Sequence, residues 1–71
     1  MEAYIELNNF LKIMNVVPTG GQAKMLIRSG TVLVNDEIET RNKKKLVLGD
    51  EVSVDGKIFI VEKGMLKVPN Q

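Results

Sequence analysis

The sequence predicts an α+β domain in which two N-terminal helices pack on a small, mostly antiparallel sheet. Three observations carry this. Leu7, Phe10, Leu11 and Met14 recur at i, i+3, i+4 and i+7, the spacing of one helix face. A second stripe, Ala23, Leu26 and Ile27, lies between a capping threonine and a glycine. From Val32 the apolar period falls to two, and Asp55-Gly56 joins two β-rich runs.

Taken in order, Ala3 to Glu6 reads as a short strand ahead of the first helix. Val16-Val17-Pro18 ends that helix, because a proline ring disfavours helical geometry in the residue before it. Thr19 caps the second helix, its hydroxyl placed to accept a first-turn N–H. Gly30 occupies the position where a left-handed residue stops a helix. Val32 and Val34 alternate with Leu33, Asn35-Asp36 turns the chain, and Ile38 begins the return. Gly49-Asp50 marks a further turn. Val52-Ser53-Val54 and Lys57 to Val61 form the clearest hairpin, since Asp-Gly suits a type I′ turn whose central residues both need positive φ. The chain is thus one domain over 1–71, with its core at about 5–61 and a loosely attached tail at 65–71. Met14 and Met25 read as core filler.

A chain of 71 residues buries only about 60–65% of its unfolded surface. It has no cysteine and no histidine, which removes disulfides, thiolate or imidazole metal sites, cysteine nucleophiles and histidine-based triads. No cofactor or metal is expected. The opening Met-Glu-Ala-Tyr-Ile-Glu is acidic, and no apolar run reaches the length of a membrane span. A cytoplasmic monomer with no membrane association is the expectation.

Net charge is only +1, but its distribution is uneven. Between Thr19 and Lys45 stand Lys24, Arg28, Arg41, Lys43, Lys44 and Lys45 against Asp36, Glu37 and Glu39, whereas acids outnumber bases elsewhere. Gly20-Gly21 ahead of a helix first suggests a nucleotide-phosphate loop. That loop needs a second glycine followed by Lys-Ser/Thr after a buried strand, and here Gln22-Ala23-Lys24 follows instead. The acids Glu37, Glu39, Asp50, Glu51 and Asp55 fall at turns and strand edges, with no nucleophile–base pairing among them. No enzyme is read here.

The cations do form a constellation. Gly20, Lys24 and Arg28 repeat every four residues and share a helix face turned away from Ala23, Leu26 and Ile27. The helix N-terminus adds unpaired N–H groups suited to a phosphate, and glycines let a nucleic-acid backbone come close. The plainer alternative is a solvated face behind a glycine turn. Arg41-Asn42-Lys43-Lys44-Lys45 is a second, independent basic feature, and the two together favour a shared polyanion surface. Tyr4, Phe10 and Phe59 are the only aromatics, too few for a base-stacking platform, so recognition should rest on RNA backbone and shape.

The run from Thr19 through Gly-Gly-Gln-Ala-Lys-Met-Leu-Ile-Arg-Ser-Gly-Thr-Val-Leu-Val to Asn35, followed by Arg41 and by Leu48-Gly-Asp-Glu-Val52, resembles the S4 RNA-binding domain. The upstream Leu7, Phe10 and Leu11 fit that family's first helix, and the likeness covers residues 5 to 61. With Thr-Gly-Gly-Gln-Ala-Lys, the chain is most similar to small stand-alone bacterial proteins of the YaaA/YbcJ type. The resemblance implies an S4-like αL motif that docks on structured RNA, above all ribosomal RNA or ribosomal particles. Carried over by position, Thr19, Gln22, Lys24 and Arg28 would face the RNA, with Lys43, Lys44 and Lys45 flanking from the loop; Gly20, Gly21 and Arg41 join the candidate site from the helix-start and basic-run readings above. Two positions depart from the family pattern: Gly20 stands where many members carry arginine, and Asp36 where glycine is usual. The alternative is a protein-interaction module that uses the scaffold without RNA. Val34 to Arg41 with Leu48 to Val54 also resembles half of a ubiquitin-like sulfur carrier, but the two opening helices have no counterpart there.

Overall fold

The computed structural model describes residues 3–66. Strand β1 (Ile5–Glu6) leads directly into α1 (Leu7–Ile13), and α2 (Gly20–Arg28) follows after a turn at Asn15. Then come β2 (Val32–Val34), β3 (Glu37–Ile38), β4 (Lys45–Leu46), β5 (Glu51–Val54), β6 (Lys57–Ile60) and a 3-10 turn at Lys63–Met65. The α+β architecture is as the sequence predicts.

The helices form where their stripes can be buried together. Leu7, Phe10 and Leu11 of α1 and Ala23 and Ile27 of α2 are fully buried, while Leu26 is half-buried beside them. Burying a Leu, Ile or Phe side chain stabilises by roughly 1.5–3 kcal/mol, which is what holds two such short helices in place. Thr19 Oγ1 accepts the Gln22 N–H at 3.2 Å, and Gly30, at φ +86°, ends α2 in the left-handed region.

Beneath them lies a four-stranded antiparallel sheet in the order β3-β2-β5-β6. Its inner face presents Val32, Val34, Val52 and Val54 to the core, and Val61 closes it. Its outer face runs across the strands as Ile38, Leu33, Ser53 and Ile58, with Ile38 and Ile58 more than half exposed. Both hairpin turns carry positive φ at their two central residues, Asn35-Asp36 and Asp55-Gly56, the type I′ geometry that matches strand twist.

A second, two-stranded sheet pairs Ile5 with Leu46 and Glu6 with Lys45. The strand at Lys45–Leu46 has no counterpart in the sequence reading, which left Arg41 to Lys45 as one loop. Two further expectations are corrected. Met65 and Leu66, assigned to the tail, pack against the core; 67–71 lie outside the described residues. Met25, assigned to the core, is 74% exposed, whereas Met14 does pack against it.

Candidate nucleic-acid interface

Two structures present the cations. The first is α2. At about 100° per residue, Lys24 projects from the flank of the packed Ala23–Ile27 stripe and Arg28 from further round toward the outer side, and both are exposed. The helix carries no acidic residue. Thr19 and Gln22, also expected at the site, are exposed but tied to each other by the capping bond. Ala23 N–H donates to the Thr19 carbonyl at 3.0 Å, while among the described residues the Gly20 and Gly21 N–H groups have no hydrogen-bond partner.

The fold gives no internal reason for those two glycines. A Cβ built at Gly20 meets nothing within 4 Å, and one at Gly21 meets only Thr19 Oγ1 at 4.0 Å. Neither residue adopts positive φ, unlike Gly30, Gly49 and Gly56. Glycine in a helix is less favourable than alanine by up to about 1 kcal/mol, so the pair weakens α2 for no gain in packing.

The second structure is the 41–45 segment, anchored through its main chain. The Leu7 N–H donates to the Lys44 carbonyl at 2.8 Å and the Asn8 N–H to the Asn42 carbonyl at 3.1 Å. The segment thereby satisfies the first donors of α1. Arg41, Lys43 and Lys45 are exposed, Lys44 is half-buried, and Asn42 turns its Oδ1 inward, where it has no hydrogen-bond partner among the described residues. Arg41, Lys43, Lys44 and Lys45 alone wall a concavity of about 460 Å³. Beside it, a cleft of about 660 Å³ runs between this segment and the Asn35–Ile38 hairpin, with Glu37, Glu39 and Asp50 on its walls.

The four cations are not equivalent. Arg41 is held in a bidentate pair by Glu39: Nε donates to Oε2 at 2.9 Å and the terminal Nη2 to Oε1 at 3.0 Å. The Arg41 main-chain N–H also donates to Oε2, at 2.9 Å. Glu39 is only 12% exposed while Arg41 is 70% exposed, so the carboxylate acts as a fixed seat for an outward guanidinium. The Arg41 side-chain hydrogen bonds hold the Glu39 carboxyl down at about 2. Lys45 Nζ sits 4.9 Å from the Tyr4 ring centroid, a cation–π contact. Among the described residues, Arg41–Glu39 is the only ion pair; Lys24, Arg28, Lys43 and Lys44 form none, though the Lys44 charge also lies near enough to favour the Glu39 carboxylate.

Sequence reasoning missed Glu39 and Tyr4 as partners of the basic segment. It also read Asp50 as a solvated turn residue. Instead, Asp50 Oδ1 accepts from Asn35 Nδ2 at 3.1 Å and Oδ2 from the Val47 N–H at 2.9 Å. Among the described residues no group of three or more acidic side chains is placed to hold a metal ion, and no helix is long and apolar enough to cross a membrane.

Comparison with known proteins places this geometry in a family. Residues 1–62 match the family described as S4 domain. The chain is 44% identical over 52 residues to the "Probable ribosome maturation protein RlbA" of Bacillus subtilis (strain 168), covering 73% of each chain. It is 40% identical over 53 residues to YbcJ of Escherichia coli (strain K12), a candidate RNA-binding protein, covering 75% of this chain and 76% of the relative. A two-helix unit with cations on its outer face, set on a small antiparallel sheet, and a match over most of its length make this chain a member of the S4-domain family.

Proposed function

We propose that the protein binds structured RNA without catalysing a reaction, and that its target is ribosomal RNA during ribosome assembly or maintenance. It acts as a monomer through the α2 face and the basic 41–45 segment. The observation that carries this is the Gly20-Gly21 pair: the fold does not need it, yet it bares two unpartnered N–H groups at the start of a helix bearing Lys24 and Arg28. A phosphate backbone closing on that end gains two donors and two cations at once. At 32 × 23 × 19 Å, the molecule is small enough for one folded RNA to span both basic structures. The named relatives, one linked to ribosome maturation and one to RNA binding, support the same reading.

A second reading, protein docking without RNA, draws on the exposed outer row of the sheet at Ile38 and Ile58. Crosslinking the protein in bacterial extract and sequencing the attached RNA decides between them. Enrichment of discrete ribosomal RNA segments is expected, and recovery of protein crosslinks with no RNA above background would favour docking.

A further inference from the structure

An isolated exposed apolar side chain is ordinary on a protein surface; the setting of Met25 is not. Ala23 and Ile27 define the packed side of α2, and at about 100° per residue Met25 lies diametrically opposite their mean direction. It is the most outward-pointing side chain of the helix and is 74% exposed. Arg28 and Lys24 flank it on one side and Gln22 on the other, positions where water contact alone favours a charged or polar residue. Gly21, one turn earlier on the same side of the helix, carries no side chain, so nothing on that turn screens this face.

We infer that Met25 is an apolar RNA contact, packing against an unstacked base or ribose while Lys24 and Arg28 hold the flanking phosphates. This rests on the RNA-binding reading and adds to it a role that charge does not supply. The occupant follows from complementarity. A helix with two cations, no acid and two bare N–H groups calls for an anionic partner, and a thioether beside the cations calls for one that offers apolar surface next to its charges. Folded RNA with splayed bases has both, and unbranched, polarisable methionine adapts to either face of a base. Apolar side chains, methionine among them, serve as wedges beside bases in nucleic-acid complexes.

The test uses the full chain and fragmented ribosomal RNA, with Kd measured on the fragment that the parent protein retains at low salt. Met25→Ala is expected to weaken binding about 5- to 10-fold with the salt slope unchanged, because no phosphate contact is lost. Met25→Leu is expected to stay within about 2-fold. Met25→Lys is expected to bind more weakly than the parent despite its added charge. Thermal melting guards against misfolding, and alanine at this exposed helical site is expected to leave Tm at or slightly above the parent value. Unchanged affinity for Met25→Ala, or tighter binding by Met25→Lys, overturns the inference while leaving the RNA reading in place. So does a Met25→Ala chain that keeps its RNA affinity but loses capture of a ribosomal protein. A parent chain that retains no fragment overturns the RNA reading and this inference together.

Discussion

Asn35 and Asp50 lock two turns of the sheet together. Asn35 Nδ2 donates to Asp50 Oδ1 at 3.1 Å, Asn35 Oδ1 accepts the Glu51 N–H at 3.0 Å, and the Asn35 N–H donates to the Glu51 carbonyl at 2.8 Å. Asp50 in turn accepts the Val47 N–H. Two residues of the motif that carries the family likeness are therefore occupied with the fold. Asn35 also sits at φ +51°, which asparagine tolerates better than most side chains. Asn35→Gly, which keeps the backbone comfortable and loses only the side-chain bonds, should cost about 1–2 kcal/mol. Asn35→Ala should cost more, because a Cβ at positive φ adds strain that glycine avoids and that alanine has no polar side chain to offset. Urea denaturation of both variants checks the order, and equal losses would remove the strain component.

The glycine pair makes an unusual prediction because stability and function should move in opposite directions. With open space around each Cβ and no positive φ, Gly20→Ala with Gly21→Ala should stabilise the fold by about 0.5–1 kcal/mol, raising Tm by a few degrees. The same variant should bind RNA more weakly, since two methyl groups hold a phosphate away from the first-turn N–H groups. Gly20→Val should weaken it further through its branched side chain. A more stable variant with undiminished affinity would return the glycines to simple turn duty.

On the helix face, Lys24→Glu with Arg28→Glu should leave melting near that of the parent, because both side chains are exposed and unpaired among the described residues. RNA affinity should fall by about one to two orders of magnitude, and the salt slope should lose roughly 1.4–1.8 units. Were only the triple change at Lys43, Lys44 and Lys45 to matter, α2 would be the wrong face.

Glu39 gives the domain a pH signature. Its carboxyl is depressed in the folded state from 4.5 to about 2, chiefly by the Arg41 hydrogen bonds. The stabilisation is therefore present above about pH 4.5 and is lost as pH falls from there toward 2. Because Arg41 is open to solvent, the increment should be small and should shrink with salt. Glu39→Gln should flatten the stability–pH curve in that window by losing the same small increment at neutral pH, with little difference from the parent near pH 2. An unchanged curve in the variant would mean that another carboxyl is responsible.

Much of the fold was readable because its signals are local. The 3.6-residue stripes gave both helices, Thr19 and Gly30 gave the ends of α2, and Asp55-Gly56 gave a hairpin whose turn residues need positive φ. The β1–β4 pairing was not readable: two-residue strands some forty positions apart carry no periodicity, and only the closed structure brings Glu6 opposite Lys45. Glu39 was read as edge chemistry for the same reason, since its hold on Arg41 depends on the bend between them. Met25 was a different kind of miss. Its place opposite Ala23 and Ile27 was present in the spacing, but methionine's usual residence in cores outweighed the angle.

The central claim is that several phosphates of a folded RNA meet cations on α2 and the 41–45 segment. The most direct measurement is the Kd of the unmodified chain for its ribosomal RNA fragment across a salt series. About four to six phosphate contacts predict that log K falls with log salt at a slope of roughly −3 to −5. A flat response, or no binding at low salt, would contradict the account.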